Sequence, residues 1–306
     1  MMRLGTRSSP LALAQARAVA DDLHRAGADV ELVPMRTEGD RLLGRLADSG
    51  GKGLFVREIE EALATGTIDL AVHSLKDLPA ELPEGLELAA FPERADPRDV
   101  LVSRMGGGLE ALRPGALVGS ASLRRRAMVL AARPDVRVEP VRGNVNTRLH
   151  KLECGDWDAI LLAAAGLARL GLRPTNVTFL SPDVFVPAVG QAIIGVEIRR
   201  DDRRTRAAVE RLDHRATRVC ALAERAYLRR LGASCTTPMA AHAVLDGATR
   251  LRMAAVVASE DGRKVLRAEA AGPVEDAETL GRGLAESLLA QGAAEVAGLD
   301  PGRWSS

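Results

Sequence analysis

The feature that most constrains this chain is a rhythm. Over its first two-thirds, short apolar runs alternate with amphipathic helical stretches, each closed by glycine, proline or a capping residue. Ser9-Pro10 before an Ala/Leu-rich run reads as a capped helix with proline in its first turn. Residues 30–33 read as a strand, and residues 55–64 as a helix with Val56, Ile59 and Leu63 on one face and Gly66 as its stop. Residues 68–72 form a further strand that runs directly into His73-Ser74-Leu75-Lys76-Asp77. Alternation of this kind predicts a mainly parallel sheet with helices on both faces.

The rhythm restarts after the charged, proline-containing segment 93–99, which reads as a hinge. Strands near 117–118, 136–141 and 159–163 alternate with helices from Ser122 and from Asn144, followed by a crossover at 186–190 and a strand at 193–198. From about residue 215 the pattern changes. A long helix (216–231) precedes three strand-like runs near 240–245, 249–257 and 264–270, and a helix over 276–291. Strands grouped apart from helices predict a small α+β unit. The expected organisation is two α/β domains, 1–92 with 193–210 and 98–186, plus an α+β domain at 215–306.

Composition removes several function classes. A net charge of +1 over 306 residues argues against a general nucleic-acid binder. No run reaches the roughly 18 apolar residues of a membrane span, and the N-terminal residues have no apolar core of signal-peptide length. The three cysteines, Cys154, Cys220 and Cys235, lack CxxC spacing, so neither a disulfide scaffold nor a metal knuckle is expected. Together these readings predict a cytoplasmic protein.

Six segments can carry chemistry. Gly119-Ser120-Ala121-Ser122-Leu123-Arg124-Arg125-Arg126 sets a capping serine and a run of arginines at a helix start. That opposes the helix dipole but suits an anion, although a solvated basic face would read the same way. Arg142-Gly143-Asn144-Val145-Asn146-Thr147-Arg148 repeats the arrangement, and Arg7 beside Ser8-Ser9 gives a third instance. Such sites after strands predict a ligand with several negative groups at the carboxyl ends of a sheet. Gly50-Gly51-Lys52-Gly53-Leu54-Phe55 fails the Walker pattern, with Leu46 and Gly53 in the wrong places, and reads as a glycine-rich lid. Asp77 beside Lys76 reads either as a loop ion pair or as a carboxylate kept ionised for chemistry, and His73 reads as structural. Lone cysteines are more often packing residues than reactive ones, and only a loop setting separates Cys235 from Cys220 and Cys154.

Read in order, segments 6–12, 51–55, 71–79, 119–125, 142–145, 165–171 and 187–191 resemble the porphobilinogen deaminase family over nearly the whole chain. The resemblance implies two periplasmic-binding-protein-like α/β domains around a cleft, and a C-terminal α+β domain. It implies stepwise condensation of four porphobilinogen molecules with loss of ammonia, then hydrolysis to the linear tetrapyrrole hydroxymethylbilane. The implied cofactor is a dipyrromethane bonded to Cys235. Asp77 matches the residue that stabilises the cation left by deamination. Lys76, Ser74, Ser122, Arg124, Arg125, Arg148 and Gln191 match cofactor-contacting positions. Arg7, Arg142, Arg169 and Ser120, with Lys52 and Phe55 of the lid, match substrate-contacting ones. No metal is implied, and a monomer is. The Ala233-Ser234-Cys235 loop and Asp48 depart from the usual family pattern. A two-lobed protein that only binds an anionic ligand is the alternative, and it leaves Cys235 unexplained.

Overall fold

A computed structural model describes residues 1–37, 56–232 and 237–299. The described chain divides into two compact units, one from residues 1–95 and 192–221, the other from 96–191 and 222–306.

The first unit holds β1 (Met2–Arg7), β2 (Val30–Met35), β3 (Leu70–Ser74), β4 (Leu86–Ala90) and β10 (Ile194–Arg199) in the order β2-β1-β3-β10-β4. Strand residues alternate between faces, and both faces are covered. Leu70, Val72 and Val196 pack against Ala16, Val19 and Leu23 of helix Pro10–Arg25. Ala71 turns the other way, toward Ile59 and Leu63 of helix Arg57–Ala64. Each large apolar side chain buried in these layers stabilises the unit by about 1.5–3 kcal/mol. The Pro10–Arg25 helix begins as its sequence dictates, with Pro10 in the first turn and Ser9 Oγ accepting from the Ala12 N–H at 3.3 Å.

The second unit repeats this plan with β5 (Asp99–Ser103), β6 (Leu117–Gly119), β7 (Arg137–Glu139), β8 (Ala159–Ala163) and β9 (Val177–Phe179), ordered β7-β6-β8-β5-β9. Period-two alternation again sorts its residues: Val100, Val102, Ile160 and Leu162 serve one core, Leu101 and Leu161 the other. The same unit carries an antiparallel sheet of β11 (Met239–Asp246), β12 (Arg250–Ala258) and β13 (Val265–Pro273), whose Ala240 and Val256 join the core of Leu101 and Val118. Helix Ala277–Ala290 meets helix Arg215–Leu231 where Gly281 lies against the Ala223 backbone, too closely for any side chain.

The five-stranded sheets are mixed rather than mainly parallel. β10 runs antiparallel to β3 and β4, and β5 antiparallel to β8 and β9, so half of the strand pairings in each sheet are antiparallel. Each reversed strand directly follows a passage of the chain from one unit to the other. It therefore enters its sheet without the helical crossover that keeps neighbouring strands parallel.

Candidate functional site

In the first unit, two parallel strands deliver the site residues at their carboxyl ends. β1 ends on Arg7; β3 ends on Ser74 and passes into a single 3₁₀ turn, Leu75–Asp77. Leu75 and Leu78 anchor that turn in a small core with Val56, Phe91 and Ile193, and the Leu75 N–H donates to the Ile193 carbonyl at 2.9 Å. With both leucines turned inward, Lys76 is half-buried and Asp77 faces solvent. Arg7, Ser9, Gln15, Ser74 and Asp77 line one concavity. Gln15, which the sequence did not single out, is buried and hydrogen-bonds the Ser74 hydroxyl at 2.9 Å. Lys76 does not pair with Asp77. The Asp77 carboxylate has no hydrogen-bond or ion-pair partner among the described residues, which leaves its charge available to a ligand.

In the second unit the parallel neighbours β6, β7 and β8 play the same part. The loop after β6 carries Ser120 and Ser122, and Ser122 caps helix Leu123–Ala132 by accepting from the Arg125 N–H at 3.4 Å. Ser120 Oγ accepts from the Ser122 N–H at 3.2 Å, fixing the turn. Gly119 has no room for a side chain of ordinary packing, because a Cβ there would lie 3.1 Å from the Trp157 ring and 3.1 Å from Val141.

After β7, Asn144 caps helix Val145–Glu153 through the Thr147 N–H at 2.9 Å. Gly143 is required before it. Its φ of 114° is left-handed, and a Cβ would come within 2.6 Å of Thr147. The Gly143 carbonyl accepts from Arg148 Nε at 2.8 Å, which aims that guanidinium, while Arg142 stays exposed. Helix Ala164–Arg169 follows β8 at once and ends on Arg169.

Arg124 and Arg125 are not a solvated basic face. Both are buried and converge on Asp99, the first residue of β5, which is fully buried. Arg124 Nη1 donates to Asp99 Oδ2 at 2.8 Å and to the Val186 carbonyl at 2.8 Å. Arg125 Nε donates to Asp99 Oδ1 at 2.9 Å, and Arg125 Nη1 to the Leu161 carbonyl at 3.0 Å. Gln191 Nε2 joins them, 3.1 Å from Asp99 Oδ1 and 2.7 Å from the Pro97 carbonyl. Burial alone would raise the Asp99 carboxyl, but the two guanidiniums outweigh it and hold the group well below the ordinary carboxylate range.

Two arginines and one aspartate leave this hub with a net positive charge. Arg148 adds to it: burial first, then the nearby Arg125 cation, lowers its affinity for its proton. Burial pushes Arg169 down to about 10. Cations kept from water beside like charge are relieved by carboxylates, so this donor set fits a ligand with several carboxylate groups. Lys52, Phe55 and Cys235 lie outside the described residues.

Cationic and carboxylate groups held at the carboxyl ends of two like-ordered sheets define an α/β protein that handles a small polyanion. Two family models then specify the class. "Porphobilinogen deaminase, dipyromethane cofactor binding domain" matches residues 2–207, and "Porphobilinogen deaminase, C-terminal domain" matches 218–290. The chain belongs to the porphobilinogen deaminase family. Its activity is that of a transferase, a hydroxymethylbilane synthase of tetrapyrrole biosynthesis, and its cofactor is dipyrromethane.

Among solved structures, an ABC transporter periplasmic substrate-binding protein from Coxiella burnetii is 17% identical, with a TM-score of 0.43 over 69% of this chain and 92% of its own. A nutrient binding protein from Burkholderia cenocepacia, bound to methionine, is 11% identical, with a TM-score of 0.42 over 68% and 90%. The fold class rests on strand order and the family models rather than on these likenesses. Among the described residues, no helix is long and apolar enough to cross a membrane.

Proposed function

We propose that Asp77 is the catalytic residue of the porphobilinogen condensation. Its setting supports this: an uncommitted carboxylate at the end of a sheet strand, sharing a concavity with Arg7 and Ser74. Such a group accepts pyrrole N–H donors and opposes the positive charge that develops as ammonia leaves the aminomethyl carbon. A preorganised charge of this kind is worth about 3–4 kcal/mol, or 10²–10³ in kcat.

The carboxylates of the dipyrromethane fall to Ser74, Lys76, Ser122, Arg124, Arg125, Arg148 and Gln191. Those of incoming porphobilinogen fall to Arg7, Arg142, Arg169 and Ser120, with Lys52 and Phe55 as lid residues. Because Arg124, Arg125 and Gln191 also donate to Asp99, their orientation is set before any ligand arrives. When bound, dipyrromethane supplies the pyrrole end from which the chain grows, and we assign its attachment to the Cys235 sulfur. Three domains, a cytoplasmic monomer and porphobilinogen as the small-molecule partner, with no nucleic acid or membrane, complete the reading. The absence of paired-cysteine spacing supports the cytoplasmic assignment.

The observation that carries this reading is the match of the cofactor-binding family model over residues 2–207, which include Asp77 and every arginine named above. Intact-mass measurement tests it. The purified protein should carry a dipyrromethane adduct that is missing in Cys235→Ser, and Asp77→Ala should bind porphobilinogen with kcat reduced about 10²–10³-fold. A chain that stays unmodified after incubation with porphobilinogen would refute the attachment. Near-normal turnover of the Asp77 variant would remove that residue from the chemistry.

A further inference from the structure

On the face of the first unit's sheet that packs under helix Arg57–Ala64, three titratable side chains from three elements meet away from water. His73 comes from β3, Glu197 from β10 and Glu60 from the helix, and all three are buried. The strand register brings the first two together. Gly195 lies opposite His73 and Glu197 opposite Ala71, so the imidazole reaches one pair along, and its Nε2 lies 3.0 Å from Glu197 Oε2.

Glu60 Oε1 and Glu197 Oε1 each lack a hydrogen-bond partner among the described residues. Burial and the Glu197 charge push the Glu60 carboxyl up to about 7, against a smaller pull from His73. Neighbouring charges are otherwise committed. Arg199, two residues along β10, donates to the Leu63 and Ile68 carbonyls and to Asp202, and Asp69 ahead of β3 is held by Arg3. Glu58 stands two residues before Glu60 on the same helix. Among the described residues no group of His, Cys, Asp and Glu is placed to hold a metal ion.

Two buried carboxyls and one imidazole cannot all be ionised without a net charge. The imidazole is committed to Glu197, whereas Glu60 Oε1 has no partner among the described residues, which makes Glu60 the carboxyl that sets how much charge lies behind β3. Four residues after His73, the same segment presents Asp77. Charge in the interior acts over a lower dielectric than charge in water, so an ionised Glu60 adds to the negative potential that Asp77 applies to a developing cation.

We propose that Glu60, buried on the same face as the His73–Glu197 hydrogen bond, is a positioning residue for the cationic step, its carboxylate backing Asp77. The proposal rests on the reading of Asp77 given above.

The test compares the holoenzyme with Glu60→Gln and Glu197→Gln. With Glu60 present, kcat should climb about threefold or more between about pH 6 and about pH 8 as that carboxyl ionises. Glu60→Gln should stay at the parent's low-pH rate. Glu197→Gln, which removes one of the two influences raising Glu60, should shift the climb to lower pH. Thermal unfolding gives a readout independent of turnover. A carboxyl whose proton is held more tightly in the folded state contributes stability at low pH, and this is lost as pH rises through about 7. The Tm of Glu60→Gln should therefore gain on the parent as pH rises from about 4.5 to about 7 and hold that gain above it. A Glu60→Gln rate profile that superimposes on the parent's would overturn the proposal. A parent that releases no ammonia from porphobilinogen would instead overturn the functional reading beneath it.

Discussion

Replacing Asp99 by asparagine would leave Arg124 and Arg125 side by side, out of water, with one carbonyl oxygen where a carboxylate had been. Breaking a buried ion pair on one side costs about 3–5 kcal/mol, so urea unfolding of Asp99→Asn should show a loss of that order. The pH dependence has a definite sign. The folded state holds the Asp99 carboxyl below its ordinary range, so its stabilisation is complete above about pH 4 and is lost only as pH falls into strong acid. None of this is legible along the chain. Asp99 stands 25 and 26 residues from its arginines and 92 from Gln191, and a sequence reading places those arginines on the ligand without seeing what holds them. Glu60 and Glu197 stayed unseen for the same reason, because sheet register brings them together and not spacing. Arg142 and Arg148 were easier, since a short loop with its own cap carries both.

Local signals at helix starts were the most legible, because a cap is settled within four residues. Ser9, Ser122 and Asn144 all accept from the helix N–H groups that their positions promise. The loop before helix Val145–Glu153 also makes a prediction possible. Gly143→Ala combines a left-handed φ with a clash on Thr147 and should destabilise by about 1–3 kcal/mol. Thr147→Ser in that background, which removes the Thr147 methyl group, should recover only part of the loss, since the left-handed backbone and the contact with the Cβ of residue 147 at 2.7 Å remain. Calorimetry of the single and double variants isolates the share due to the methyl contact. Strand direction was far less legible than strand position. Residues 193–198 read as a strand, and β10 occupies nearly those residues, yet the period-two pattern is identical for parallel and antiparallel neighbours. β4 and β9, each at the edge of its sheet beside a reversed strand, were not singled out at all.

At the scale of the molecule, the strand order of one sheet recurs in the other, so two similar scaffolds carry different chemistry: a carboxylate in the first unit, buried cations in the second. Aromatic residues are only 2% of the chain, with two tryptophans and one tyrosine. The tyrosine, Tyr227, is fully buried, and Trp304 lies outside the described residues. Trp157 remains, its ring pressed toward Gly119, the residue immediately before Ser120 and the capped arginine helix. That close contact makes the second unit an optical instrument. In a Trp304→Phe background the tryptophan emission comes from Trp157 alone, and it should shift when a porphobilinogen carboxylate reaches Ser120, next to Gly119, even in Asp77→Ala where turnover is slow. Emission that ignores porphobilinogen up to saturating concentrations would detach Ser120 from substrate binding. A residue kept small so that a ring can approach thus lets binding be watched apart from catalysis.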